Sequence, residues 1–182
     1  MSAARLTGLP RKIVALHHAL TDASFAHAFG GALALAWCTE RARGTIDIDV
    51  NVFVPAARAG DVVAALPRGV HATPEQLEQL ERDGQVRLFW DTTPVDVFLD
   101  TTEFHVQAAG RARWEDFGGE PLPFLACTDL AVFKAFFDRT KDWADLEEMV
   151  AVGTLDVDRV LGVLVRYLGP DDHRIERLRT IA

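Results

Sequence analysis

Hydrophobic and polar residues alternate strictly from Ile46 to Val52, with Ile46, Ile48, Val50 and Val52 on one side and Asp47, Asp49 and Asn51 on the other. A period of two is the mark of a half-buried strand, and the run predicts one from Ile46 to Val54, stopped by Pro55. Upstream, Arg11 to Leu20 has helical spacing, and Phe25 to Phe29 reads as a short apolar strand. The turn Gly30-Gly31 leads into Ala32 to Arg41, which is rich in Ala and Leu, lacks breakers and predicts a buried helix. Downstream, Gly60 to Leu66 and Pro74 to Asp83 predict helices. The second has Thr73 as N-cap, Pro74 at its first position, Gln76 where a capping box wants Glu or Gln, and Gly84 at its end. Val86 to Trp90 and Val95 to Leu99 read as an antiparallel pair joined through Asp91-Thr92-Thr93-Pro94. The stretch from Glu103 to Leu125 is less regular and reads as a helix over Phe104 to Arg111 with strand pieces at Trp114 to Phe117 and Leu122 to Leu125. From Thr128 the period turns helical, with Thr128-Asp129 as an N-cap signal, then Asp142 to Val152, Val157 to Tyr167 and a polar helix after Pro170. The predicted fold class is α+β: a small mixed sheet flanked by helices over 1–126, and a helical part over 127–182 that closes a cleft.

The polar side of the central strand carries the chemistry. Two carboxylates side by side on one strand face repel each other unless something neutralises them. A divalent cation does so: Mg²⁺ takes oxygen ligands, often one or two carboxylates, and completes its shell with water and phosphate oxygens. Glycines at a helix start let a phosphate approach backbone N–H groups where the helix dipole favours an anion. Asp96 on the later strand pair would complete a carboxylate triad with Asp47 and Asp49, with Asp91 and Asp100 as competitors for that place. Such a triad suits two-metal transfer of a phosphoryl-type group. Asp-x-Asp alone reads as a solvated strand face; the Gly-Gly turn and Arg43-Gly44-Thr45 ahead of it favour the site.

Composition narrows the classes. No apolar stretch approaches the ~20 residues that span a bilayer, and Met1 to Lys12 holds no apolar leader, so a soluble cytoplasmic protein is expected. A net charge of -8 argues against a broad nucleic-acid surface. Local basic groups remain at Arg5 with Arg11 and Lys12, Arg111 with Arg113, and Arg174 with Arg177 and Arg179. Cys38 and Cys127 lack a metal-ligand spacing and read as buried free thiols, and the six histidines are scattered without zinc spacing, as surface or partly buried residues. Ser24 lies in no nucleophile elbow.

Three motifs stand in order: Gly30-Gly31-Ala32-Leu33-Ala34; Arg43-Gly44-Thr45-x-Asp47-Ile48-Asp49; and Asp129-Leu130-x-x-x-Lys134 followed by Asp138-Arg139-Thr140-Lys141-Asp142-Trp143-Ala144-Asp145-Leu146. Together they resemble the polymerase-β-type nucleotidyltransferase superfamily, and within it are most similar to the AbiEii/MenA-type toxins of toxin–antitoxin systems. The resemblance implies Mg²⁺-dependent transfer of a nucleoside monophosphate, with up to two ions, from an NTP (CTP or UTP favoured) to the 3′ end of tRNA. Translation would be inhibited and a cognate antitoxin would restrain the activity. It implies roles for Gly31, Asp47, Asp49, Lys134 and Asp142, with Arg139 and Asp145; with Asp96 from the triad and the rest of the first two motifs, the candidates are Gly30, Gly31, Arg43, Thr45, Lys134 and Arg139 for the nucleotide, and Asp47, Asp49, Asp96, Lys134 and Asp142 for catalysis. Read from spacing alone, Lys134 with Asp138 and Lys141 with Asp145 are one-turn ion pairs on a helix surface, over a buried face of Trp143, Leu146 and Val150. Two other readings stand beside the toxin. One is a nucleotidyltransferase with a small cationic acceptor such as an aminoglycoside, which an acidic surface would steer. The other is a non-catalytic nucleotide-binding module of the same fold.

Overall fold

The computed structural model describes residues 7–42 and 44–182, so the candidate Arg43, and Arg5 of the first basic group, lie outside the described residues. The strands are β1 (His27–Phe29), β2 (Ile48–Pro55), β3 (Val70–His71), β4 (Gln85–Trp90), β5 (Thr93–Asp100), β6 (Arg113–Asp116) and β7 (Pro121–Phe124). The helices are α1 (Gly8–Asp22), α2 (Gly31–Thr39), α3 (Ala59–Ala65), α4 (Pro74–Asp83), α5 (Glu103–Ala109), α6 (Cys127–Phe137), α7 (Thr140–Ala151), α8 (Val157–Leu168) and α9 (His173–Ile181). The chain divides into two units. One holds the described residues up to Leu33 with Gly44–Phe124; the other starts at Ala34, within α2, and resumes at Leu125–Ala182.

The first unit is built on one sheet in the order β3-β4-β5-β2-β1-β7-β6. β2 runs parallel to β5 and β1 parallel to β7, while the remaining neighbours are antiparallel, so the sheet is mixed. Ile48, Val50 and Val52 are fully buried, as the alternation predicts. The strand nevertheless begins two residues later than predicted, and Ile46 stands 76% exposed. The cause is local: the Thr45 hydroxyl accepts from the Asp47 N–H and donates to the Asp47 carbonyl, both at 3.2 Å, which withholds Asp47 from the ladder. Asn51, expected on a polar face, is buried, while Asp49 on the same face is only partly so. α4 starts with the predicted capping box, Gln76 N–H to Thr73 Oγ1 at 3.3 Å and Thr73 N–H to Gln76 Oε1 at 2.9 Å. The irregular stretch after Glu103 resolves into α5 and the β6–β7 hairpin.

Two histidines depart from expectation. His17 on α1 and His27 on β1 are buried, with His17 Nδ1 2.9 Å from His27 Nε2 and His27 Nδ1 2.8 Å from the Phe25 carbonyl. A carbonyl only accepts, so His27 carries its proton on Nδ1 and its Nε2 accepts from His17. Burial above all pushes His27 down to about 4. The unfolded chain titrates near 6.5 and therefore binds more protons than the native state below that pH, so stability present above about pH 6.5 is lost as pH falls toward 4. Urea unfolding across that range is expected to show a loss of up to about 3 kcal/mol that His27→Gln removes. An equally steep loss in the variant would refute the assignment.

The second unit is helical. The N-cap of α6 is Ala126, not Thr128-Asp129; Asp129 lies inside the first turn and is buried, where a carboxylate meets the positive end of the helix dipole. Cys38 on α2 and Cys127 on α6 are not free thiols but a disulfide, with Cα atoms 5.5 Å apart. The expectation failed because residues separated by 89 positions are paired only by the fold. In the chain-entropy account, closing a loop of that length stabilises the native state by about 4–5 kcal/mol. Disulfides persist in oxidising surroundings; in a reducing compartment the same two sulfurs stand adjacent as thiols. Among the described residues no helix is long and apolar enough to cross a membrane.

Candidate active site

Strand register sets one row of charged side chains in the first unit. Asp49 stands opposite Asp96 in the parallel β2–β5 pair, and Asp96 stands opposite Arg87 in the antiparallel β4–β5 pair. Directly opposed residues share a face, so Arg87, Asp96 and Asp49 lie side by side across three strands. Arg87 Nε donates to Asp96 Oδ1 at 2.7 Å and Nη2 to Oδ2 at 2.6 Å, while Nη2 also reaches Asp47 Oδ2 at 3.4 Å. These bonds to Asp96, with the charges of Asp96, Asp47 and Asp49, outweigh partial burial and hold the guanidinium firmly protonated.

Arg87 is the site residue that sequence reasoning missed. A turn through Asp91-Thr92-Thr93-Pro94 sets Trp90 against Val95 and Arg87 against Phe98. In the structure Trp90 pairs with Thr93 across a two-residue turn, with Asp91 in the left-handed region at φ +53, and Arg87 falls opposite Asp96. The signal available was the shorter hairpin loop, since each turn length fixes its own register. The same register separates the three candidate acids. Asp91 sits at the turn against Lys12 at 3.1 Å. Asp100 lies at the far end of β5 opposite Pro55; its Oδ1 is buried without a hydrogen-bond partner, and burial pushes the carboxyl up to about 6. Only Asp96 stands beside Asp49.

The glycine turn is fastened to the same strand. Gly30 N–H donates to the Asp49 carbonyl at 2.9 Å, so this amide is committed to β2 rather than open to a phosphate. Gly31 has φ +53, and a Cβ placed there would overlap the Asp49 carboxylate. Both facts require glycine. Among the described residues no group of three His, Cys, Asp or Glu side chains is already arranged to hold a metal. The donors nevertheless suit Mg²⁺, because Asp47, Asp49 and Asp96 offer only carboxylate oxygens, and one or two of these suffice when water and phosphate complete the shell.

The third motif forms a separate network in the second unit. Lys134 is 6% exposed, and Asp142 and Asp145 are each 1% exposed. Lys134 Nζ donates to Asp145 Oδ2 at 2.6 Å and lies 3.6 Å from Asp142 Oδ1. Arg139 holds Asp142 through Nε at 2.5 Å and Nη2 at 3.2 Å. The surface pairs read from spacing do not form. Asp138 ends α6 in the left-handed conformation at φ +54, which takes it off the helical face of Lys134. It accepts instead from Trp143 Nε1 at 2.6 Å and lies 2.6 Å from His173 Nε2. Asp145 is buried with Trp143, Leu146 and Met149, while Lys141 is exposed.

No protein-family model matches the sequence, and no curated protein matches it. Solved structures match by fold. A crystal structure of ANT(2″)-Ia in complex with adenylyl-2″-tobramycin is similar with a TM-score of 0.63 at 16% identity, covering 97% of this chain and 100% of that one. The solution structure of the antibiotic-resistance factor ANT(2″)-Ia has a TM-score of 0.56 at 15% identity, over 94% of this chain and 89% of that one. A nucleotidyltransferase-like protein from Paracoccidioides brasiliensis lies further off, with a TM-score of 0.48 at 12% identity over 96% and 95%. The mixed seven-stranded sheet with the C-terminal helices α6–α9 is therefore an α+β, nucleotidyltransferase-like fold.

Proposed function

We propose that the protein is a Mg²⁺-dependent nucleotidyltransferase that moves a nucleoside monophosphate from an NTP to a hydroxyl of a small cationic acceptor of the aminoglycoside class. The observation that carries this reading is the placement of Asp49 beside Asp96, with Gly31 packed against the Asp49 carboxylate. Asp47 and Asp49 would hold the ion that draws charge from the triphosphate. Gly31 leaves the space beside Asp49 open, and Asp96 would add the third carboxylate of the metal-holding set. The acceptor oxygen bonds to the α-phosphorus, the bond to the leaving pyrophosphate breaks, and the hydroxyl proton passes to water. All of these residues belong to the first unit.

Charge favours a cationic acceptor. The net charge is -8, and four of the basic side chains named in the sequence are paired with acids. Lys12 lies 3.1 Å from Asp91, Arg113 lies 2.6 Å from Glu115, Arg174 pairs with Asp172 at 2.8 Å, and Arg177 lies 3.7 Å from Asp138. A polyanionic tRNA end needs the opposite arrangement. Similarity to a structure that carries adenylylated tobramycin points the same way.

The test incubates the protein with Mg²⁺ and each α-labelled NTP, adding an aminoglycoside panel or total tRNA in parallel, with Asp49→Asn as control. Label on an aminoglycoside that vanishes in the control is the expected result. Label on tRNA would return the toxin reading, with its antitoxin, and Mg²⁺-dependent NTP binding without transfer would leave the binding-module reading.

A further inference from the structure

Arg87 takes both oxygens of Asp96 in a fork, at 2.7 and 2.6 Å, and its Nη2 leans 3.4 Å from Asp47. Bidentate guanidinium–carboxylate pairs are among the stronger charge-assisted hydrogen bonds, and a guanidinium does not deprotonate in proteins. The pair is built in by register: β4 and β5 set the two residues directly opposite, so the fork needs no chain movement to form. The Arg87 side chain is 52% exposed against 16% for Asp96, so the arginine has room to swing out while the carboxylate stays in the row beside Asp49.

We propose that Arg87 is a positioning residue that acts as a resident counter-cation, holding Asp96 and competing with divalent metal for it until substrate draws the metal in. The inference rests on the reading of Asp47, Asp49 and Asp96 as the metal-binding acids. Arg87 offsets one of the three charges of the carboxylate row in the nucleotide-free protein and withholds both Asp96 oxygens from an incoming cation. Metal binding in the absence of nucleotide is therefore weakened at Asp96.

Mn²⁺ serves as the probe, titrated into nucleotide-free protein and followed by electron paramagnetic resonance. Wild type is compared with Arg87→Gln, Arg87→Lys and the double variant Arg87→Gln/Asp96→Asn. Removal of a charge-assisted fork is expected to tighten Mn²⁺ binding by about tenfold or more in Arg87→Gln, with the double variant back near wild type. Arg87→Lys keeps the charge but loses the fork and should fall between; it carries the test if Arg87→Gln does not fold. Binding no tighter than wild type in either single variant, or a gain that survives Asp96→Asn, overturns the proposal. If transfer is observed but Arg87→Gln gains nothing, the competition fails and the enzyme reading stands. If the Mn²⁺ competition holds and no NTP supports transfer, the enzyme reading fails alone.

Discussion

Lys134→Met is expected to destabilise the protein by about 3–5 kcal/mol, the usual cost of removing one partner from a buried ion pair. Total folding free energies are only about 5–15 kcal/mol, so much of the protein would be unfolded under mild denaturant. The expectation comes from burial more than from the pairing itself. Lys134 is 6% exposed between Asp142 and Asp145, each 1% exposed, and its ammonium donates to Asp145 at 2.6 Å. An ion pair on a helix surface, which spacing alone suggests, is worth only about 0.3–0.5 kcal/mol. The two readings therefore differ by roughly tenfold in energy. Urea unfolding of Lys134→Met and of Lys134→Met/Asp145→Leu separates them. The double variant, with both charges replaced by apolar groups, should recover much of the loss. A single variant within about 1 kcal/mol of wild type would show that the network is not buried as described.

Gly31→Ala is expected to lower nucleotide transfer by on the order of 10²–10³-fold, comparable to loss of a preorganised transition-state contact. Gly31 sits at φ +53, where a residue with a Cβ is strained by roughly 1–2 kcal/mol. That much affects stability only. The larger effect is steric, because the new Cβ would overlap the Asp49 carboxylate, and either the turn or the acid must move. A misplacement near 1 Å costs about a hundredfold where reacting groups are held for in-line attack. The companion variant Gly31→Ala/Asp49→Gly relieves the overlap but keeps the strained backbone at position 31, and should stay both inactive and less stable than wild type. Melting temperature and transfer rate measured on both proteins test this. Wild-type activity in Gly31→Ala would remove the turn from the site.

Local patterns were legible because they are set by residues a few positions apart. The capping box of α4 needs only Thr73 and Gln76, and both hydrogen bonds form. The burial of Ile48, Val50 and Val52 follows from period two in any strand packed on a core. Asp49 and Gly31 were singled out by motif, and the structure brings them together on β2 and the first residue of α2.

What remained hidden depends on distance through the chain. The Cys38–Cys127 pairing, the His17–His27 bond and the Lys134–Asp145 contact join residues that periodicity cannot relate. Arg87 shows the boundary most clearly. Its place on a strand face was written in the alternation of Val86, Arg87 and Leu88, yet its partner depended on whether the turn held two residues or four. The sequence by itself determined the α+β class, the strand that bears Asp49 and the glycine turn ahead of it, because propensity, period and capping act over one or two turns of chain. Only the tertiary structure decided which acid stands beside Asp49, which cation neutralises it and which ions are buried, because register and burial are properties of segments brought together from far apart.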